Sequence, residues 1–185
     1  MEIFGSHAHY DASAFREDRG EVLASLPSRG VCGVINCGSH LEGCRASVEL
    51  ARRYPYVYAA VGLHPEDLKD APADWLHQVE EMLAEPKVVA VGEIGLDYYW
   101  KENAPREEQK AALATQLELA NAHGLPIVFH DREAHGDTME LLRKYRPRGV
   151  LHCFSGSVEM MREAVRLGLY IGLGGAVTFK NARVP

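Results

Sequence analysis

Short apolar runs alternate with amphipathic stretches along the chain, and residue types that bind metal recur where four of those runs end. Together these observations predict an α/β protein of parallel strands. The expected architecture is a TIM-like (β/α)8 barrel, here incomplete with about seven strands, with its chemistry gathered at one mouth. Strands are expected near 2–6, 31–36, 56–62, 87–92, 126–130, 149–153 and 169–173. Helices are expected near 17–27, 41–53, 73–84, 106–122, 136–145 and 158–167. The repeating strand–helix–strand unit implies parallel strands joined by right-handed crossovers.

Each element has a local reason. The first strand rests on Ile3-Phe4, and the fourth on Val88-Val89-Ala90-Val91-Gly92. The fifth rests on Ile127-Val128-Phe129, and the sixth on Val150-Leu151. Gly30, Gly124 and Gly168 each separate a helical pattern from the strand that follows. The helix from 106 has the most support. Pro105 falls in its first turn, and Glu107 and Glu108 suit its positive end. Leu113, Leu117 and Ala120 recur at helical spacing until Gly124 stops the pattern.

Composition bounds the function classes. With 185 residues the chain can bury a core, and 46% hydrophobic with 25% charged residues is ordinary for a soluble globular protein. No linker, low-complexity tract or charge block divides it, so residues 1–185 read as one barrel domain. No run approaches the ~18 apolar residues of a membrane helix, and Met1-Glu2-Ile3-Phe4-Gly5 has no basic, secretory character. Cys32, Cys37, Cys44 and Cys153 form no Cys-x-x-Cys pair and are expected to be buried free thiols in a reducing cytoplasm. Cys153 as a metal ligand is the lesser reading, because strand alternation turns it away from the face of His152. A net charge of −6 argues against coating duplex nucleic acid through a broad basic surface. It leaves open an enzyme that grips a few phosphates through bound cations.

Five side chains are the candidate metal ligands: His7, His9, Glu93, His130 and His152. His7 and His9 are one residue apart, so on a strand both imidazoles face one way. Glu93 closes an apolar strand, and burying its charge is costly unless it is paired. Either an arginine or a pair of cations could supply the partner. His130 and His152 close two further strands, and strand carboxyl ends converge in a barrel. Imidazole with carboxylate suits Zn, Mn or Fe, whereas carboxylate alone would suit Mg. His64 follows the third strand and is a candidate to orient substrate or water. Arg132 is a candidate phosphate clamp, since guanidinium matches phosphate geometry. Tyr98, Tyr99 and Trp100 either stack on bases or pack the loop onto the rim. His40, His77, His123 and His135 are expected at the surface. Walker, zincin and nucleophile-elbow motifs are absent from the sequence.

These pieces together resemble the TatD family of metal-dependent deoxyribonucleases, within the wider amidohydrolase-like barrels. The resemblance rests on Ser6-His7-Ala8-His9-Tyr10-Asp11, Gly62-Leu63-His64-Pro65, Gly92-Glu93-Ile94-Gly95-Leu96-Asp97-Tyr98-Tyr99, His130-Asp131-Arg132 and His152-Cys153-Phe154-Ser155-Gly156. Gly174 through Asn181 is similar to the family's seventh strand and following loop. The resemblance implies a metal-dependent hydrolase that cleaves DNA phosphodiesters by a two-metal mechanism, as an exonuclease on single strands or 3′ ends. It implies two divalent ions (Mg, Mn or Zn). His7, His9 and Glu93 would hold one, and Glu93, His130 and His152 the other.

The family also carries an aspartate after its eighth strand that completes the first metal, and nothing after residue 175 supplies it. A chain truncated before the eighth strand is therefore expected, or a second copy filling the gap. Open barrel edges predict self-association or reduced stability. Two other functions stay open. One is an amidohydrolase-type or aminoacyl-tRNA ester hydrolase, although Glu93 stands where many amidohydrolases place a carboxylated lysine. The other is an inactive remnant that binds metal without turnover.

Overall fold

The computed structural model describes residues 2–182. Seven strands form one sheet in chain order: β1 Ile3–Ala8, β2 Val31–Cys37, β3 Val57–Val61, β4 Val88–Asp97, β5 Ile127–Arg132, β6 Gly149–Leu151 and β7 Leu169–Ile171. Every neighbouring pair is parallel. The connecting helices are α1 Arg19–Ser25, α2 Leu41–Arg53, α3 Trp75–Met82, α4 Arg106–Ala122, α5 His135–Tyr145 and α6 Val158–Arg166. The architecture is an incomplete TIM-like barrel: a curled parallel sheet, with helices on its convex side. No helix among the described residues is long and apolar enough to cross a membrane.

Strand alternation sorts side chains between two cores. Val34 on β2, Ile94 and Leu96 on β4, and Ile127 and Phe129 on β5 face the helices, where they meet Leu113, Leu117 and Leu142. Cys37, Ala60, Ala90 and Val128 form a smaller cluster on the concave side. Alternation from Val128 carries His130 and Arg132 onto the concave face. Alternation from Ile94 and Leu96 carries Glu93, Gly95 and Asp97 there too. Burial of Phe129 contributes about 1.5–3 kcal/mol and fixes the strand one residue before His130.

Several sequence-based boundaries need correction. β4 and β5 do not end at 92 and 130. Their ladder continues through Gly95↔His130 and Asp97↔Arg132, so Glu93 and His130 lie inside strands. Asp97 and Arg132 are the strand ends, not loop residues. β6 stops at Leu151 because the chain turns at Cys153, which has a positive φ of 43°. The seventh strand is Leu169–Ile171, and Gly175–Thr178 forms a 3-10 turn. Cys37 and Cys44 are buried thiols, but Cys32 and Cys153 are exposed. Cys32 faces out on an edge strand's neighbour, and Cys153 lies in the turn after β6.

α4 matches its sequence reading at both ends and does more than pack. Its buried Gln116 accepts a hydrogen bond from the Leu63 N–H (2.8 Å) and donates to the Leu63 carbonyl (3.1 Å). Gln109 accepts from the Asp97 N–H and donates to the Asp97 carbonyl, each at 3.0 Å. Two glutamines thus satisfy backbone groups that would otherwise be buried unpaired, and they fix the chain beside His64 and at Asp97.

Candidate metal centre

The ladder is interrupted at two places that bracket ligands. Register shifts fall between Gly5 and Ala8 on β1, and between Val91 and Ile94 on β4. An irregularity of this kind bends a strand and re-aims its side chains. At the second, the Glu93 N–H leaves the ladder and donates to the Gly38 carbonyl at 2.9 Å. Gly95 lets β4 and β5 approach closely at this level. A Cβ there would lie 1.9 Å from the His130 carbonyl oxygen.

The five sequence-predicted ligands meet in one place. Glu93 is only 3% exposed, and its two carboxylate oxygens divide the histidines between them. Oε2 lies 2.9 Å from His7 Nε2 and 3.0 Å from His9 Nε2, and those two nitrogens are 3.0 Å apart. Oε1 lies 3.1 Å from His130 Nδ1 and 2.6 Å from His152 Nε2, and those two nitrogens are 3.2 Å apart. The result is two triangles of ligand atoms joined through one carboxylate. Ligands held 2.0–2.1 Å from a common cation stand about 3 Å from one another, so each triangle has the size of one face of a coordination shell. The His7 and His152 rings stack at 3.9 Å between centroids, which keeps the two triangles side by side.

Tautomers distinguish ligands from donors. His130 Nε2 lies 3.0 Å from Asp97 Oδ2, and a proton held there leaves the Nδ1 lone pair facing the site. Asp97 is fully buried, and its Oδ1 also accepts from the Tyr99 N–H (3.0 Å) and the Trp100 N–H (3.3 Å). His64 is set the other way. Its Nδ1 accepts the Glu66 N–H at 3.2 Å, so neutral His64 presents Nε2–H, 3.5 Å from Glu93 Oε1. His64, Glu93 and His130 are close enough to form a ligand group of their own, as are His7, His9 and Glu93. The hydrogen bond from Glu66 favours His64 as a donor over His64 as a ligand.

Charge follows from these contacts. Burial would raise the Glu93 carboxyl, but hydrogen bonds from His130, His152, His64 and His7 hold it well below the usual carboxylate range. Burial opposes charging of His130, yet Asp97 and Glu93 push it up to about 9. Burial lowers His7, whereas the hydrogen bond to Glu93 raises His9. A single anionic carboxylate among four imidazoles is a donor set that suits a borderline divalent cation such as Zn or Mn. The residues present therefore fit the metals that the sequence implied.

Of the other sequence candidates, Arg132 lies at the rim, its guanidinium 4.0 Å from the Tyr99 ring centroid. His40, His77 and His123 are exposed, and His135 is half-buried against Asp131. Sequence reasoning missed Asp97 and Asn36 as supports. Asn36 is fully buried. It accepts from the Tyr10 N–H (2.6 Å) and donates to Asp11 Oδ1 (2.7 Å) and Ser47 Oγ (2.8 Å), pinning the chain just past His9. A polar residue in the apolar run of β2 was the signal for Asn36.

The fold and this cluster define a class: a metal-dependent hydrolase on a parallel α/β barrel scaffold. Comparison with known proteins narrows the class. The family profile described as TatD related DNase matches residues 4–184. The chain belongs to the TatD-related DNase family. It is 36% identical to the uncharacterized metal-dependent hydrolase YabD of Bacillus subtilis (strain 168), covering 99% of this chain and 72% of that protein. It is 36% identical to the 3'-5' ssDNA/RNA exonuclease TatD of Escherichia coli (strain K12), covering 95% of this chain and 68% of that protein. Among solved structures, the TatD homolog YJJV from Escherichia coli K12 superposes with a TM-score of 0.90 at 34% identity, covering 99% of this chain and 75% of that one.

Proposed function

We propose that this chain is a two-metal phosphodiesterase that trims single-stranded DNA from 3′ ends. The observation that carries this reading is the pair of ligand triangles sharing Glu93. In it, His7, His9 and Glu93 would hold one divalent ion, and Glu93, His130 and His152 would hold the second. When bound, the two ions supply Lewis acidity to a phosphate and lower the pKa of an attacking water. The protein's own groups set the stage. Glu93 keeps its charge and fixes the separation of the two triangles. Asp97 holds His130 in the tautomer that offers Nδ1. His64 presents Nε2–H to a phosphate oxygen or a water, and Arg132 pairs with a neighbouring phosphate.

The nucleic-acid substrate is supported by likeness to a relative described as a 3'-5' ssDNA/RNA exonuclease. The setting that fits is the cytoplasm. The two sheet edges, β1 and β7, expose Ile3, Phe4 and Tyr170, which supports association between copies. The test is a panel of 5′-labelled DNA and RNA oligonucleotides, with free or blocked 3′ ends, set against aminoacyl esters and small amides in Mg, Mn or Zn. Stepwise shortening from a free 3′ end is expected. Turnover of the esters or amides alone would move the function to the ester or amide class. Bound metal without any turnover would leave a metal-binding remnant.

A further inference from the structure

Two large aromatic side chains stand exposed beside the metal centre: Tyr99 is 50% and Trp100 41% solvent-accessible. Their rings meet edge to face, 4.7 Å between centroids at 87°. The Arg132 guanidinium lies over both, 4.0 Å from the Tyr99 centroid and 5.3 Å from that of Trp100. No carboxylate pairs with Arg132 among the described residues. An uncompensated cation stacked on exposed aromatics, in a protein of net charge −6, is a local exception that calls for an anionic, flat-faced ligand.

Backbone hydrogen bonds also tie the cluster to the residues behind the ligands. Tyr99 and Trp100 donate their backbone N–H groups to Asp97 Oδ1, while Oδ2 of the same carboxylate faces His130 Nε2. The Tyr98 N–H donates to the Arg132 carbonyl at 2.9 Å, and Asp97 pairs with Arg132 across the ladder. Arg132 follows His130 by two residues on the same face of β5, so it stands about 7 Å further out toward the rim.

We infer that Tyr99, Trp100 and Arg132 form a base-stacking rim for single-stranded nucleic acid, in which an aromatic face takes a nucleobase and Arg132 the adjacent phosphate. This deepens the nuclease reading and rests on it for its substrate class. The rim's chemistry is selective in one respect. Stacking needs a base but not a particular base, because every base has a π-face. The rim therefore distinguishes base-bearing strands from abasic ones without reading sequence.

Binding without turnover tests the rim. The full chain in EDTA is titrated with a fluorophore-labelled oligothymidylate and with an abasic tetrahydrofuran oligomer of equal length, and Trp fluorescence is followed in parallel. The base-bearing strand is expected to bind at least about fivefold more tightly and to quench Trp100, the lower end of what one stacked base supplies. In Trp100→Ala the two strands should bind within about twofold of each other. In Arg132→Ala both should weaken alike, and the log–log salt slope should fall by about 0.7. Equal affinity of the wild-type chain for both strands would overturn the proposal. So would base discrimination that survives Trp100→Ala and Tyr99→Ala. A concentration-dependent mass lost in Trp100→Ala would also overturn it, in favour of contact between copies. Base discrimination in EDTA with no hydrolysis in Mn would uphold the rim while striking the nuclease reading, so the two failures are separable.

Discussion

The two ligand triangles share a carboxylate but differ in how they are supported. His7 and His9 come from the end of a single strand, and their side chains are 18% and 35% exposed. Neither hydrogen-bonds to a second carboxylate behind it among the described residues. His130 comes from β5 and His152 follows β6, their side chains are 16% and 9% exposed, and the buried Asp97 backs His130, while His152 Nδ1 is buried without a partner among the described residues. A ligating imidazole anchored through its other nitrogen loses less freedom when it binds metal, and its basicity rises. The comparison teaches that His130 alone among the four imidazoles is backed by a carboxylate, and that its half of the centre is the more deeply buried. The His130–His152 half should hold its ion more tightly, and the His7–His9 half should exchange more readily.

The largest expected effect removes the comparison altogether. Glu93→Ala takes an oxygen from each triangle, so metal content measured by plasma emission should fall from two equivalents to none, with activity lost. Retention of one equivalent would show that Glu93 does not bridge. Next in size, Gly95→Ala should empty the His130–His152 half while leaving His7–His9 able to bind, because the added Cβ would collide with the His130 carbonyl and displace β5. Calorimetry should then report a single class of site. Loss of both sites with the fold intact would show that the halves are not separable. Asp97→Asn keeps the shape but weakens the hold on the imidazole. It should lower affinity at the tighter site by about 10–100-fold and leave the weaker site within about twofold.

A smaller effect follows from protonation. As a ligand His130 would have to be neutral, and its pKa is raised to about 9, so near pH 7 it carries a proton that a bound ion would have to displace. Affinity at that half should therefore climb about tenfold per pH unit from 7 and level off above about 9. In the other half His7 is lowered by burial, whereas His9 is raised by its hydrogen bond to Glu93, so only His9 adds to the proton requirement there. Titration in two buffers of different ionisation enthalpy counts the released proton, and its absence would break the assignment of His130 as ligand. The smallest effect concerns the edges. Sedimentation should show self-association that Phe4→Lys weakens, and a concentration-independent monomer would count against it.

Much of the centre was legible because its residues are chemically unusual where they stand. Histidine or glutamate directly after Val150-Leu151 or Val88-Val89-Ala90-Val91-Gly92 has few reasons to be there. Parallel topology sends such positions to one mouth. The helix at 106–122 was legible at both ends because proline, acidic first-turn residues and a terminating glycine all agree. What remained hidden depends on partners distant in sequence. Asp97 reads as a loop aspartate until β4 is known to run on to it, and its partner His130 lies 33 residues away. Gln109 and Gln116 carry no sequence signal of their role, yet they face inward to the backbone groups of Asp97 and Leu63. The register shifts that aim His7 and Glu93 leave no trace in hydrophobic pattern, because they depend on how two strands pair and not on either strand alone.

The Asn36 side chain has a consequence for how this centre could change. Through Ser47 it reaches the inner face of α2, a helix that supplies no ligand, and through Tyr10 and Asp11 it governs where the chain departs from His9. Under the two-metal proposal, substitutions in that helix would retune the His7–His9 half from behind, giving selection or an engineer a remote handle on metal exchange that leaves every candidate ligand in place.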